Sequence, residues 1–444
     1  MCDILLAMPD VTETGHTIFG KNSDRPAGET QVLYSSCDEN RCSDGMIACA
    51  YADIPEKGVP LRTLGCRPYW CWGYETGLNE CGVAGGNVAV FTRPLKNPGQ
   101  VPGLTGMELL RLALERGRTA QAAVEVTADL LETYGQWGSA VLGADHQTGS
   151  YDNSFIFADA AGAWKLETAG RNWVAEKITR GTRSISNQLS LRRQWTTASS
   201  NLYQDAIHQG WMNPGDPDFA LTYSDHENYA RQVSHIRQMR SKELLERDAG
   251  KISISGMMKY LSDHYEGTFL QGPQFHEYLP DFLSICMHDS PAGFTWGNTA
   301  TSVVVAFHQQ GTAPTLWLCY GPPCSGIYMP FWIEAPVPEI VSSAGTAGLK
   351  SRQPQSAPAD AFSRESLWRR MYRILQKARE NPWAYKKQLN DVFNEVQWSI
   401  LHDVSECPRG SIQDVLLDQQ LVAAQVARVV EAVERIEEMW HLSA

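Results

Sequence analysis

No stretch of this 444-residue chain comes near the roughly 20 consecutive apolar residues of a membrane-spanning helix, so no membrane span is expected. Basic residues are in the minority. The 38 Lys and Arg are outnumbered by 50 Asp and Glu, giving a formal net charge of −12. So acidic a chain lacks the electropositive face that nucleic acid requires, and no nucleic-acid partner is expected. The amino terminus has no basic segment, carries Asp3, and its first apolar run breaks at Pro9. That is too short for a secretory signal, so the expected location is cytoplasmic.

Ordinary metal signatures are missing as well. The 11 cysteines are an odd number, and in a reducing compartment they are expected as free thiols. Cys37 and Cys42, Cys66 and Cys71, and Cys319 and Cys324 lack the tight spacing of common zinc sites and read as buried or incidental thiols. His208, His226, His235 and His264 form no His-Glu-x-x-His pattern. No metal and no cofactor is expected. Arginine is absent between Arg247 and Pro336.

What remains is the composition of a globular enzyme, 43% hydrophobic and 20% charged, long enough for a large core in one big domain or two or three smaller ones. The informative stretch is the beginning. Removal of Met1 would make Cys2 the first residue, carrying a thiol and a free α-amine together. With the amine titrating near pH ~8 and the thiol near ~8.5, one residue supplies both a nucleophile and its base. Asp3 to Met8 and Thr17 to Gly20 read as two strands joined by a loop containing Pro9, Asp10, Thr14 and Gly15. Pairing them antiparallel returns Lys21, Asn22, Ser23, Asp24 and Arg25 to the chain start, where a cation and a carboxylate can tune the nucleophile. A thiol beside a cation is expected to be thiolate-like and to alkylate early.

Further along, β-prone runs occupy 30–50 and 83–91. Thr105-Gly106-Met107-Glu108 is a capping box that opens a helix to about Arg116, and Thr119 opens another to Tyr134. Residues 155–167 read as a hairpin turning at 159–162, followed by strands at 173–178 and 183–186. Residues 190–265 read as helical and polar, apart from a looser stretch at 210–218. Strands resume at 283–287, 302–307 and 315–318. Pro, Ala, Ser and Gly dominate 336–362, which reads as a linker between a main domain, 1–335, and a helical extension, 363–444, packed on that domain. In that extension Ser363 is expected to cap a helix through Arg379, and Pro382 to open the next.

The chain resembles the secernin branch of the C69-type dipeptidases, N-terminal-nucleophile hydrolases distantly akin to the choloylglycine hydrolases. The resemblance rests on Met1-Cys2-Asp3, Gly20-Lys21-Asn22-Ser23-Asp24-Arg25-Pro26, Trp70-Cys71-Trp72-Gly73, the segments 77–83, 103–112 and 166–170, Ser186-Asn187-Gln188, the segment 263–268, and Ser284-Ile285-Cys286-Met287-His288. It implies an α+β fold, the four-layer αββα sandwich. It further implies a catalytic set of Cys2, Lys21, Asp24, Asn87 as an oxyanion donor, and Asn187 as a supporting amide. Bile-salt-hydrolase-like relatives use an arginine near the later strands. Its absence here leaves the charge environment of Cys2 to Lys21, Asp24 and Arg25. The implied activity is amide-bond hydrolysis on a small peptide or acyl-amine substrate through a thioester, in a chain that could form a homo-oligomer. The alternatives are a non-catalytic secernin-type interaction protein in regulated secretion, or an acyltransferase with the same nucleophile.

Overall fold

The computed structural model describes residues 1–36, 45–93, 101–146, 149–213, 215–229, 232–271, 283–290, 295, 297–309, 312–342, 353–357, 360, 366–405 and 414–442. Its strands, in chain order, are β1 (Cys2–Ala7), β2 (Ile18–Arg25), β3 (Gln31–Ser35), β4 (Met46–Ala48), β5 (Asp53–Pro55), β6 (Thr63–Pro68), β7 (Thr76–Asn79), β8 (Ala84–Val90), β9 (Asp152–Asp159), β10 (Gly162–Ala169), β11 (Asn172–Ile178), β12 (Thr182–Ile185), β13 (Thr197–Ala198), β14 (Asn298–Ala306), β15 (Thr315–Tyr320) and β16 (Met329–Phe331). The helices are α1 (Gly106–Arg116), α2 (Ala120–Tyr134), α3 (Gln204–His208), α4 (Phe219–Tyr223), α5 (Gln232–Arg247), α6 (Ile254–Leu261), α7 (Glu339–Ser342), α8 (Leu367–Glu380), α9 (Pro382–Ser405) and α10 (Asp414–Met439).

Two antiparallel sheets form the centre, one ordered β12-β1-β2-β14-β15-β16 and the other β13-β11-β10-β9-β8-β7-β6-β3. Glycines reveal how the layers stack, because each marks a place where another element comes too close for a side chain. A Cβ on Gly86 of β8 would lie 2.7 Å from Lys21 and 3.3 Å from Ile4, so the inner faces of the two sheets meet there. A Cβ on Gly85 would lie 3.0 Å from Leu110 of α1, and one on Gly20 would lie 2.9 Å from Met257 of α6. Helices α1 and α2 therefore cover the outer face of one sheet, and α5 and α6 that of the other. The fold is a four-layer αββα sandwich of α+β class.

Local chemistry explains several boundaries. Thr105 accepts from Glu108 N while Glu108 returns a bond to Thr105 N, and Thr119 caps α2. The hairpin of β9 and β10 turns at Asp159, whose carboxylate accepts from Ala161 N and Gly162 N. Strand β2 is longer than its apolar run: Lys21 to Arg25 are themselves strand residues, buried on both faces. Such burial is paired to internal partners, which apolar patterning does not register.

Elsewhere the structure differs from the sequence expectation. Residues 283–287 are not a strand. Cys286 N donates to Asp263 O at 3.2 Å and Met287 N to the Thr299 hydroxyl at 2.9 Å, so the backbone of this segment bonds to turns and side chains. Residues 190–203 are not helical; Glu167 accepts from Ser190 N and Leu191 N and holds the chain extended there. Ser363 lies outside the described residues, as do Cys37 and Cys42, and Ser366 caps α8. Within 336–362 the chain forms α7, and Tyr320 donates its hydroxyl to Val341 O at 2.6 Å. Helices α8, α9 and α10 share one continuous apolar core with the six-stranded sheet, and Trp368 Nε1 donates to Ala300 O at 3.0 Å.

Candidate active site

Antiparallel register builds the site around Cys2. Cys2 lies across from Ser23 of β2. On its other side, the β1–β12 pairing of Ile4 with Ile185, continued two residues, brings Asn187 opposite Cys2. The backbone nitrogen of Cys2 donates to Asn187 Oδ1 at 3.0 Å. Asn187 is held in turn, donating through Nδ2 to Ala89 O at 2.7 Å. Met1 continues the strand pairing, its nitrogen donating to Asp24 O at 3.2 Å and its carbonyl accepting from Asp24 N at 2.8 Å. Met1 and Cys2 line a cavity of about 230 Å³ together with Asp24, Arg25, Glu75, Asn87, Tyr151 and an apolar wall of Ala89, Phe91, Val141 and Tyr229. Phe91 and Tyr229 stack with their rings 3.9 Å apart.

Strand parity separates two residues that the sequence reading placed together. Lys21 and Asp24 are three apart in a strand, so they project from opposite faces of β2. Lys21 points into the space between the sheets, donating to Ser23 Oγ at 2.9 Å and Glu75 O at 2.7 Å and pairing with the Glu75 carboxylate at 3.3 Å. Asp24 points toward the helical layer with Gly20 and Asn22, and accepts from the Thr299 hydroxyl at 2.7 Å. Burial pushes its carboxyl up to about 6, against the pull of the chain-terminal ammonium and Arg237. Both residues are buried, so neither belongs to an exposed surface pair.

The same parity bears on Asn87. Its side chain shares the face of Gly85, turned toward α1, and donates to Asn153 Oδ1 at 3.1 Å. Asn153 in turn donates to Gln136. The amide expected to hold an oxyanion is thus engaged in a buried amide network, although Asn87 still forms part of the cavity wall.

Sequence reasoning missed a further buried cation. Arg237 of α5 is fully buried; it pairs with the Asp3 carboxylate, donates to Asn187 Oδ1 at 2.6 Å and reaches Cys2 O at 3.4 Å. The charge environment of Cys2 is therefore not limited to Lys21, Asp24 and Arg25. Glu75 was missed as well. It bridges Lys21 and Arg25, the latter at 3.3 Å. Burial opposes charge on Glu75, but those two cations hold its carboxyl below the usual range. Arg25 is clamped further by Glu29 at 2.6 Å.

Burial also decides the state of the thiol. It pushes Cys2 up from the ordinary cysteine range, and the opposing influence of Lys21 is smaller. With Met1 in place the thiol is 6% exposed, so burial works against the early alkylation expected of a thiol beside a cation. Among the described cysteines, Cys81 is exposed.

Fold and site together define a four-layer sandwich with a cysteine at the start of a central strand, its nitrogen anchored by an asparagine and its thiol beside a small cavity. No family model matches the chain. Among solved structures it is similar to penicillin V acylase from Agrobacterium tumefaciens, at 13% identity and a TM-score of 0.38 over 74% of this chain and 86% of that one. It is also similar to the C2A mutant of conjugated bile acid hydrolase from Clostridium perfringens, at 10% identity and a TM-score of 0.37, covering 72% and 89%. A third is the Caenorhabditis elegans ortholog of N-acylethanolamine-hydrolyzing acid amidase, at 12% identity and a TM-score of 0.31, covering 68% and 92%.

Proposed function

We propose that the chain is an N-terminal-nucleophile hydrolase that cleaves a small amide, in the manner of a dipeptidase, once Met1 is removed to free the Cys2 nitrogen. The observation that carries this reading is the placement of Cys2: its nitrogen bonded to Asn187 and its side chain in the wall of a small cavity.

The environment suits a neutral amine acting as base. Burial lowers the Met1 α-ammonium, and Arg237 and Arg25 add to the effect, against Cys2 and Asp24. One residue along, the Cys2 nitrogen is the group that Asn187 holds, and Asn187 is itself bonded to Arg237. An amine N–H donating to Asn187 Oδ1 leaves the lone pair to receive the thiol proton. The sulfur then attacks the substrate carbonyl, the protonated amine delivers its proton to the departing nitrogen, and water, deprotonated by the same amine, releases the acyl group from the thioester. Lys21 favours the developing thiolate across the strand pair. Asp24 keeps the total charge near the amine balanced.

Substrate size follows from the cavity. At about 230 Å³ with Met1 among its walls it is smaller than the roughly 300–1,000 Å³ pockets of drug-sized ligands. Its stacked Phe91 and Tyr229 favour an apolar acyl side chain, and Arg25 and Tyr151 supply polar groups at the other wall. A dipeptide or a small acylated amine fits this description.

A panel of dipeptides and acyl amines, assayed for amine release, tests the reading. Asn187→Ala is expected to lower kcat by about 10²-fold, because the amine loses the acceptor that orients it. Asn87→Ala, which removes an amide turned toward α1, is expected to cost less. Amine release by none of the panel, or full turnover in a folded Asn187→Ala variant, would count against the proposal.

A further inference from the structure

Four side chains that no sequence spacing links converge behind β2: His264 beyond the end of α6, Cys286 and His288 in the irregular segment 283–290, and Cys324 in the single turn between β15 and β16. One nitrogen or sulfur from each lies within 4.8 Å of all the others. His288 Nε2 is 3.2 Å from Cys324 Sγ and 3.7 Å from Cys286 Sγ. A tetrahedron with zinc–sulfur bonds of about 2.3 Å and zinc–nitrogen bonds of about 2.0–2.1 Å has edges of roughly 3.3–3.8 Å, within a few tenths of an ångström of these two distances. His264 faces the cluster in the orientation a ligand needs. Its Nδ1 lies 3.2 Å from the Glu266 carboxylate, while its buried Nε2 has no hydrogen-bond partner among the described residues. A carboxylate on one ring nitrogen fixes the other as the metal-binding atom.

We infer that His264, Cys286, His288 and Cys324 form a structural Zn²⁺ site. Two thiolates and two imidazoles in a tetrahedral arrangement select zinc over the hard cations Mg²⁺ and Ca²⁺, which take oxygen ligands. Four protein ligands leave no open position, so the ion would hold the fold and take no part in chemistry on substrate. His264, Cys286 and His288 are buried and Cys324 is half-buried, which gives an ion a route in.

What the ion would fasten is the outer support of the candidate active site. Asn22 of β2 donates to Leu261 O and Ile285 O, both at 2.8 Å, tying the strand to the end of α6 and to the 283–290 segment. Met287 N donates to the Thr299 hydroxyl, which donates to Asp24. Residues 283–290 have no strand of their own to hold them, and a metal clip supplies that constraint. The relevant thiol pair is Cys286 with Cys324.

The test is elemental analysis of untagged full-length protein, with the thiols mapped by alkylation and mass spectrometry. The expected result is about one zinc per chain, falling below about 0.1 in a variant carrying Cys286→Ser and Cys324→Ser. In wild-type protein Cys324 should resist alkylation as purified and label readily after a strong chelator strips the metal. This second arm decides the matter even if the double variant fails to fold. Protein free of stoichiometric zinc, zinc retained without both thiols, alkylation of Cys324 indifferent to chelator, or a Cys286–Cys324 disulfide would each overturn the inference.

Discussion

Cys2→Ala is expected to abolish amide cleavage while leaving the fold intact, with turnover falling by at least about 10⁴-fold, the scale on which nucleophile removal acts in hydrolases. Loss of one sulfur changes little in the packing, because Cys2 retains its strand pairing to Ser23 and its nitrogen still reaches Asn187. The effect therefore falls on chemistry. Wild-type protein mixed with a good substrate is expected to release a burst of amine and to yield, on acid quench, an acylated N-terminal peptide; the variant should give neither. Cys2→Ser is expected to keep a small residual rate, since a hydroxyl is a weaker nucleophile beside the same amine. Equal cleavage by wild type and Cys2→Ala would show that the activity belongs to some other group, and a non-catalytic interaction protein would show no burst with any amide.

Arg237→Ala is expected to be the most destabilising single change near the site, by about 3–5 kcal/mol in chemical denaturation. The guanidinium is fully buried against Asp3, and truncating it leaves that carboxylate in the core without its charged partner. Burial pushes Asp3 above the usual carboxylate range even with Arg237 opposing it, so removing Arg237 makes the buried charge costlier still. Adding Asp3→Asn to Arg237→Ala should recover part of the loss, because the charge left uncompensated is then gone. Catalysis should stay impaired in the double variant, since Asn187 also loses its bond from Arg237. A single variant as stable as wild type would contradict the ion-pair account.

The parts of this molecule legible in the sequence are those governed by near neighbours. The box at Thr105 and Glu108, the cap at Thr119 and the turn at Asp159 each use groups within a few residues, and all appear where the pattern puts them. The return of β2 alongside β1 was also readable, since two apolar runs flank a loop with turn residues. Side-chain direction within β2 was not, because Lys21 to Arg25 are buried polar residues whose partners, Glu75, Glu29 and Thr299, come from other elements.

Arg237 was hidden for a related reason. Helix α5 carries charges on every side, and its sequence alone does not distinguish Arg237 and Arg240, which are buried, from Lys242 and Arg247, which are exposed. Buried Arg237, Ser241, Leu244 and Leu245 do recur at helical spacing, so the inward stripe exists, but it is half polar and reads as solvated. The His264, Cys286, His288 and Cys324 cluster is not legible in the sequence because its members come from three separate segments, one of which, 283–287, has the apolar pattern of a regular strand.

The central claim is that the working nucleophile is a cysteine with a free amine, and intact mass measured on the active species tests it most directly. In the Met1-bearing chain the Cys2 nitrogen is an amide, with no lone pair to accept a proton, and Met1 lines the cavity that substrate would enter. Fractionating purified protein and comparing turnover with mass is expected to show activity only where the mass is short by one methionine residue, rising in proportion to that fraction. Full activity in protein that retains Met1 would contradict the account.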